Sequence, residues 1–115
     1  MDQGVNESVR RYGSAIMLRP EKEAEYRKLH AAVWPGVLAQ IRASGIRNYT
    51  IFLRDGVLFS YFEYVGEDYE ADMAAMAADP VTQDWWRLTD PCQQPMPGTA
   101  EGEHWAALEE VFHVD

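Results

Sequence analysis

The stretch IRNYTIFLRDGVLFSYFEYV, residues 46–65, decides the fold. Two runs of β-branched and aromatic residues flank Asp55-Gly56, a dipeptide suited to the tight type I′ turn of a β-hairpin. A two-residue turn sets Phe52 opposite Phe59, Thr50 opposite Tyr61 and Asn48 opposite Glu63. Side chains alternate across a strand, so Tyr49, Ile51, Leu53, Leu58, Ser60, Phe62 and Tyr64 share the second face. Both faces are largely apolar, which predicts a hairpin covered on both sides.

Working outward, Tyr12 to Leu18 is an apolar-rich run too short for a helix and suited to a first strand. Pro20 sits where a first helical turn tolerates it, with Glu21 and Glu23 near the positive end of the dipole. The pattern is then helical to Ser44, with Tyr26, His30, Val33, Val37 and Ile41 along one side. Pro35 cannot donate to the preceding turn and disfavours a helical Trp34, so a kink or break is expected there, and Gly45 is a natural stop.

Beyond the hairpin, Asp68 to Ala78 is rich in alanine and methionine and reads as a second helix. Asp79-Pro80 offers a cap followed by proline at the first helical position, opening a further helix through about Thr89. Residues 91–102, PCQQPMPGTAEG, read as a loop, and HWAALEEVFHV as a closing strand. Residues 1–10 are polar and aperiodic and read as a disordered lead-in, leaving one domain over residues 11–115. The order β-α-β-β-α(α)-β is an α+β, ferredoxin-like split βαβ arrangement with its helices on one sheet face. An apolar sheet face left bare by the helices predicts a second subunit packed sheet to sheet, hence a homodimer.

A net charge of −9 argues against a nucleic-acid partner, which requires concentrated Lys and Arg. Cys92 is the only cysteine, so an intrachain disulfide is excluded and a reducing compartment is compatible. The opening MDQGVNESVRRYG lacks the apolar core of a signal peptide, and no apolar run approaches a membrane span. The expectation is a cytoplasmic protein with no membrane partner.

Tyr26 and His30, at i and i+4, project side by side and could reach one small ligand. Histidine ionises near neutrality and suits a proton shuttle. The plainer alternative is a core histidine bonded to a backbone carbonyl beside a core tyrosine. Trp85 and Trp86 point about 100° apart on a helix, so one can anchor it while the other offers a flat surface to a sugar ring. Asn48, Tyr49 and Glu63, near the open end of the hairpin, are candidates for hydroxyl contacts or ordinary strand-end polar residues. His30, His104 and His113 lack metal-ligand spacing, no phosphate-binding or nucleophile-elbow glycine motif occurs, and Cys92 has no basic neighbour in sequence.

The set Y-x-x-x-H-x-x-x-W-P (Tyr26, His30, Trp34, Pro35), G-x-x-N-Y (Gly45, Asn48, Tyr49), Trp85-Trp86 and E-x-F (Glu110, Phe112) resembles the L-rhamnose mutarotase family from about Tyr12 onward. The resemblance implies a dimeric α/β-barrel of ferredoxin-like subunits that interconverts the anomers of a 6-deoxy-hexose, L-rhamnose before L-fucose, without cofactor or metal. It implies that His30 is the catalytic proton donor, and that Tyr26, Tyr49, Trp85 and Trp86 line the sugar site. The chain departs from the family pattern at Gly36, in a shorter hairpin turn, and in CQQPMPGTAEGEHW before the closing strand. Dimeric ferredoxin-like barrels also include monooxygenases and haem-binding proteins, which would use a helical histidine as a haem ligand. A non-catalytic sugar-binding module is a third reading.

Overall fold

The computed structural model describes residues 9–115. The lead-in expected over residues 1–10 lies outside the described residues except at its end, where Arg10 already belongs to a strand. The chain runs through β1 (Arg10–Leu18), a 3-10 turn at Pro20–Lys22, α1 (Glu23–His30), α2 (Pro35–Ala43), β2 (Ile46–Arg54) and β3 (Val57–Tyr64). It continues through α3 (Tyr69–Ala78), α4 (Pro80–Thr89), a second 3-10 turn at Asp90–Cys92, β4 (Gln93–Gln94) and β5 (Ala106–Leu108).

One antiparallel sheet carries the order β2-β3-β1-β4, with β5 also on β1, which is the ferredoxin-like arrangement expected. β1 is central. It pairs with β3 along one edge, while β4 and β5 share the other. Prolines 95 and 97 lack the N–H a ladder needs, so the edge strand is interrupted and resumes only at Ala106. Two expectations are corrected here. Gln93–Gln94, inside the expected loop, pairs with Leu18 and Met17, and the closing strand is confined to Ala106–Leu108. Past Leu108 the link to β1 is made by side chains, Glu110 Oε1 lying 3.6 Å from Arg11 Nε.

The hairpin turns as its sequence requires. Asp55 and Gly56 both adopt positive φ, 52° and 75°, and Arg54 faces Val57. Thr50 pairs with Tyr61 and Phe52 with Phe59 as expected. The third expected pair is displaced, because the register shifts between Arg47 and Thr50 and brings Arg47 opposite Glu63. Asn48, at φ 52°, supplies the extra residue of this bulge. The shift turns Ile46 onto the helix-covered face, where it is buried beside its partner Tyr64. Strict alternation would have turned it outward.

Asn48 Nδ2 donates to Glu63 Oε1 at 2.8 Å and Tyr61 Oη donates to Glu63 Oε2 at 2.8 Å, pinning the bulge across the strands. Asn48→Val is expected to cost about 2 kcal/mol, since a β-branched residue resists positive φ and the bond to a carboxylate is lost. Asn48→Gly keeps the conformation and is expected to cost less than about 1 kcal/mol. Urea midpoints measure both. An Asn48→Val midpoint equal to the unaltered protein's would remove the bulge from the account.

The helices end where local chemistry dictates. Trp34, pushed into the extended region (ψ 138°) by the proline after it, separates α1 from α2, and Pro35 opens α2. The break expected at Trp34-Pro35 therefore divides the helical stretch in two. Asp68 accepts from the Ala71 N–H and Asp79 from the Thr82 N–H, capping α3 and α4. Ile16, Leu18, Leu58, Tyr26 and Cys92 form the core between sheet and helices. The opposite sheet face is uncovered among the described residues, with Phe52 63% and Phe59 40% exposed. No described helix is long and apolar enough to cross a membrane.

Candidate active site

His30 is the last residue of α1, and its ring folds back on the preceding turn. Its Nδ1 lies 2.9 Å from the Tyr26 carbonyl oxygen, and the two rings stack with centroids 4.1 Å apart. A carbonyl only accepts, so in the neutral ring Nδ1 carries the proton and Nε2 keeps its lone pair. The i, i+4 spacing does this locally, because the helical side chain leans towards the N-terminus over the carbonyl one turn back. The Trp85 indole meets His30 edge-on at 5.4 Å and Trp34 edge-on at 5.2 Å. The Trp34-Pro35 break thus brings one more indole against the wall carrying His30.

On α4, Thr82, Trp85 and Thr89 form the buried stripe, at the spacing of a packed helix face. Trp85 is 6% exposed. Trp86, one position round the helix, is half-buried. The two indoles differ in burial, and both line the cavity between the helices and the sheet.

A small polar cavity lies where α1, α4, β2 and β4 converge. Tyr26, His30, Tyr49, Trp85 and Trp86 all line it, as do Asp90, Gln93 and Trp105. Its wall of His30, Tyr49, Ile51, Trp85 and Trp86 is shared with an apolar chamber of about 380 Å³ bounded by Val33, Val37, Ile41 and Met76. The combined space has a polar end with titratable groups and an apolar end. That is the make-up of a small-molecule site.

At the polar end Tyr26 is 5% exposed, and its hydroxyl accepts from Gln93 Nε2 at 3.2 Å. Burial pushes the phenol above its ordinary range and outweighs the lowering by the Gln93 bond, so Tyr26 stays a neutral O–H donor. His104 Nε2 donates to Gln93 Oε1 at 2.9 Å and lies 3.8 Å from Asp90 Oδ1. Burial raises the Asp90 carboxyl, with the nearby His104 acting in the opposite direction. Burial likewise raises the Cys92 thiol, whose sulfur points to the Leu88 carbonyl at 3.5 Å, leaving it an inert core group.

Asn48 and Glu63 do not line this cavity. They bond to each other on the side of the hairpin that carries Tyr61, the face opposite the one expected for Tyr49. Asp90, Gln93, His104 and Trp105 were not singled out for the site from sequence. Gln93 and Tyr26 are 67 residues apart, and no local spacing rule links them. The departure of CQQPMPGTAEGEHW from the family pattern was the one signal pointing there. No group of three or more His, Cys, Asp or Glu that could hold a metal occurs among the described residues.

The family model described as L-rhamnose mutarotase matches residues 11–114. The chain belongs to the L-rhamnose mutarotase family. An L-rhamnose mutarotase of Oceanobacillus iheyensis is 31% identical over 107 residues, covering 93% of this chain and 100% of that protein. An L-fucose mutarotase of Xanthomonas campestris pv. campestris is 38% identical over 93 residues, covering 77% of this chain and 74% of that one. The crystal structure of an L-rhamnose mutarotase from Formosa agariphila superimposes with a TM-score of 0.71 at 22% identity, over 92% of this chain and 99% of that one. That likeness establishes the fold.

Proposed function

We propose that this protein is an aldose mutarotase that interconverts the α and β anomers of a 6-deoxy-hexose, L-rhamnose first and L-fucose next, by acid–base opening and closure of the ring. What carries the reading is one polar cavity, in a chain of the mutarotase family, lined by an imidazole with a free Nε2, a neutral phenol and two indoles.

Opening a pyranose requires a proton on the ring oxygen and loss of one from the anomeric hydroxyl. The aldehyde then turns about C1–C2, and the reverse transfers close either anomer. Only protons move, so no redox carrier or cofactor is required. His30 Nε2 exchanges protons with the sugar and Tyr26 Oη supplies the complementary donor. Trp86 stacks on the apolar C–H face of the ring, Trp85 backs His30, and Tyr49 closes the cavity from the sheet. The 6-methyl group suits the apolar end formed by Val33, Val37 and Ile41.

Saturation-transfer NMR between anomeric protons tests this directly. Exchange faster than in buffer is expected for L-rhamnose and L-fucose and weaker for D-glucose. Rates equal to buffer across the panel would overturn the reading.

The protein acts as a cytoplasmic homodimer in this reading, its lone buried Cys92 suiting a reducing compartment. Phe52 and Phe59 face each other across the hairpin on the open sheet face, where a second copy would complete a barrel. Phe59→Glu is expected to give monomers by light scattering, and a monomeric unaltered protein would refute the dimer.

A further inference from the structure

Gln93 is a buried polar side chain at the cavity, 5% exposed, and its backbone is held by the pairing of β4 with Leu18. Both ends of its amide are engaged, Oε1 by His104 and Nε2 by the Tyr26 hydroxyl. A carboxamide can in principle present either end to the tyrosine, and the two orientations have opposite consequences. If Oε1 faced Tyr26, the phenolic proton would be spent on glutamine. If Nε2–H faces it, the phenol oxygen accepts and its own proton points elsewhere.

The neighbours decide between them. Asp90 Oδ1, 3.8 Å from His104 Nε2, favours the proton on that nitrogen, so His104 presents a donor to Gln93. A donor there requires Oε1 on the His104 side and therefore Nε2–H on the Tyr26 side. The hydroxyl of a phenol prefers the ring plane, so accepting on one side leaves its proton on the other. A chain of donors in one direction also strengthens each bond within it.

We propose that Gln93 and His104 are positioning residues that orient the Tyr26 hydroxyl so that its proton is delivered to the sugar. This rests on the mutarotase reading above. It gives the segment between α4 and β5, where the chain departs from the family pattern, a defined task. His104 is not itself the proton carrier, because Nε2 donates to Gln93 whether the imidazole is neutral or charged.

The test compares steady-state exchange of L-rhamnose by the full chain and three variants. Gln93→Met and His104→Leu are each expected to lower kcat about fivefold to tenfold, the loss of one oriented hydrogen bond, with KM nearly unchanged. His104→Gln keeps a side-chain N–H near the Nε2 position and is expected to restore kcat, with a pH profile overlying that of the unaltered protein. His104 is partly exposed, so its variants keep the test alive should Gln93→Met fail to fold. Exchange by His104→Leu at the unaltered rate overturns the assignment. So does His104→Gln failing alongside His104→Leu, which would make His104 a proton carrier. No exchange by the unaltered protein overturns the mutarotase reading and this inference with it, whereas the other failures leave that reading standing.

Discussion

His30→Ala is expected to reduce enzymic anomer exchange about 10²–10⁴-fold, the contribution typical of a positioned general acid–base group. Nε2 is the imidazole nitrogen left free once Nδ1 is bonded to the Tyr26 carbonyl, and alanine removes it without replacing it. The fold should survive. His30 is half-buried at a helix end and its bond is to a carbonyl of its own helix, so a distant element loses only the edge contact of Trp85. His30→Asn separates the chemistry from the packing, because its amide nitrogen can reproduce the Nδ1 bond while offering no base. Both variants are expected to fail equally in saturation-transfer NMR and to retain the far-ultraviolet circular dichroism of the unaltered protein. Exchange persisting in His30→Asn at the unaltered rate would move the proton transfer to another group, with Tyr26 the first to examine.

The second large effect separates the adjacent tryptophans. Trp85→Ala is expected to cost about 3–5 kcal/mol, the usual penalty for emptying a buried aromatic site. The lost indole also meets His30 at 5.4 Å and Trp34 at 5.2 Å, so stability and exchange should fall together. A loss that size is a large part of the about 5–15 kcal/mol that holds a domain together, and the melting temperature should drop by well over about 10 °C. Trp86→Ala is expected to cost only about 1 kcal/mol while raising KM roughly fivefold, as one stacking surface is lost. Thermal melts paired with kinetics decide it. Equal destabilisation by the two variants would contradict the division of roles.

Much of the fold was legible because it depends on short-range rules. Asp55-Gly56 specifies its turn by the positive φ both residues adopt, and Trp34-Pro35 ends α1 by a steric clash between adjacent residues. Asp68 and Asp79 cap helices by bonds spanning three residues. The Tyr26–His30 pair was legible for the same reason, since four residues on a helix bring the two rings together. Nδ1 is satisfied by a backbone carbonyl, as in a packed histidine, and that bond is what leaves Nε2 available for chemistry.

What was not legible depended on register and distance. A period-two pattern cannot reveal a bulge, and the single residue inserted at Asn48 moved Arg47 opposite Glu63 and turned Ile46 to the buried face. The two-residue β4 was hidden among prolines, yet it sets Gln93 beneath Tyr26. By itself the sequence determined the element order, the turn, the helix break and a histidine paired with a tyrosine, because each follows from atoms a few bonds apart. Only the tertiary structure decided which polar groups meet that pair. Gln93 reaches Tyr26 through sheet pairing and burial, with His104 on Gln93 and Asp90 beside His104, and those contacts exist only once the chain has closed on itself.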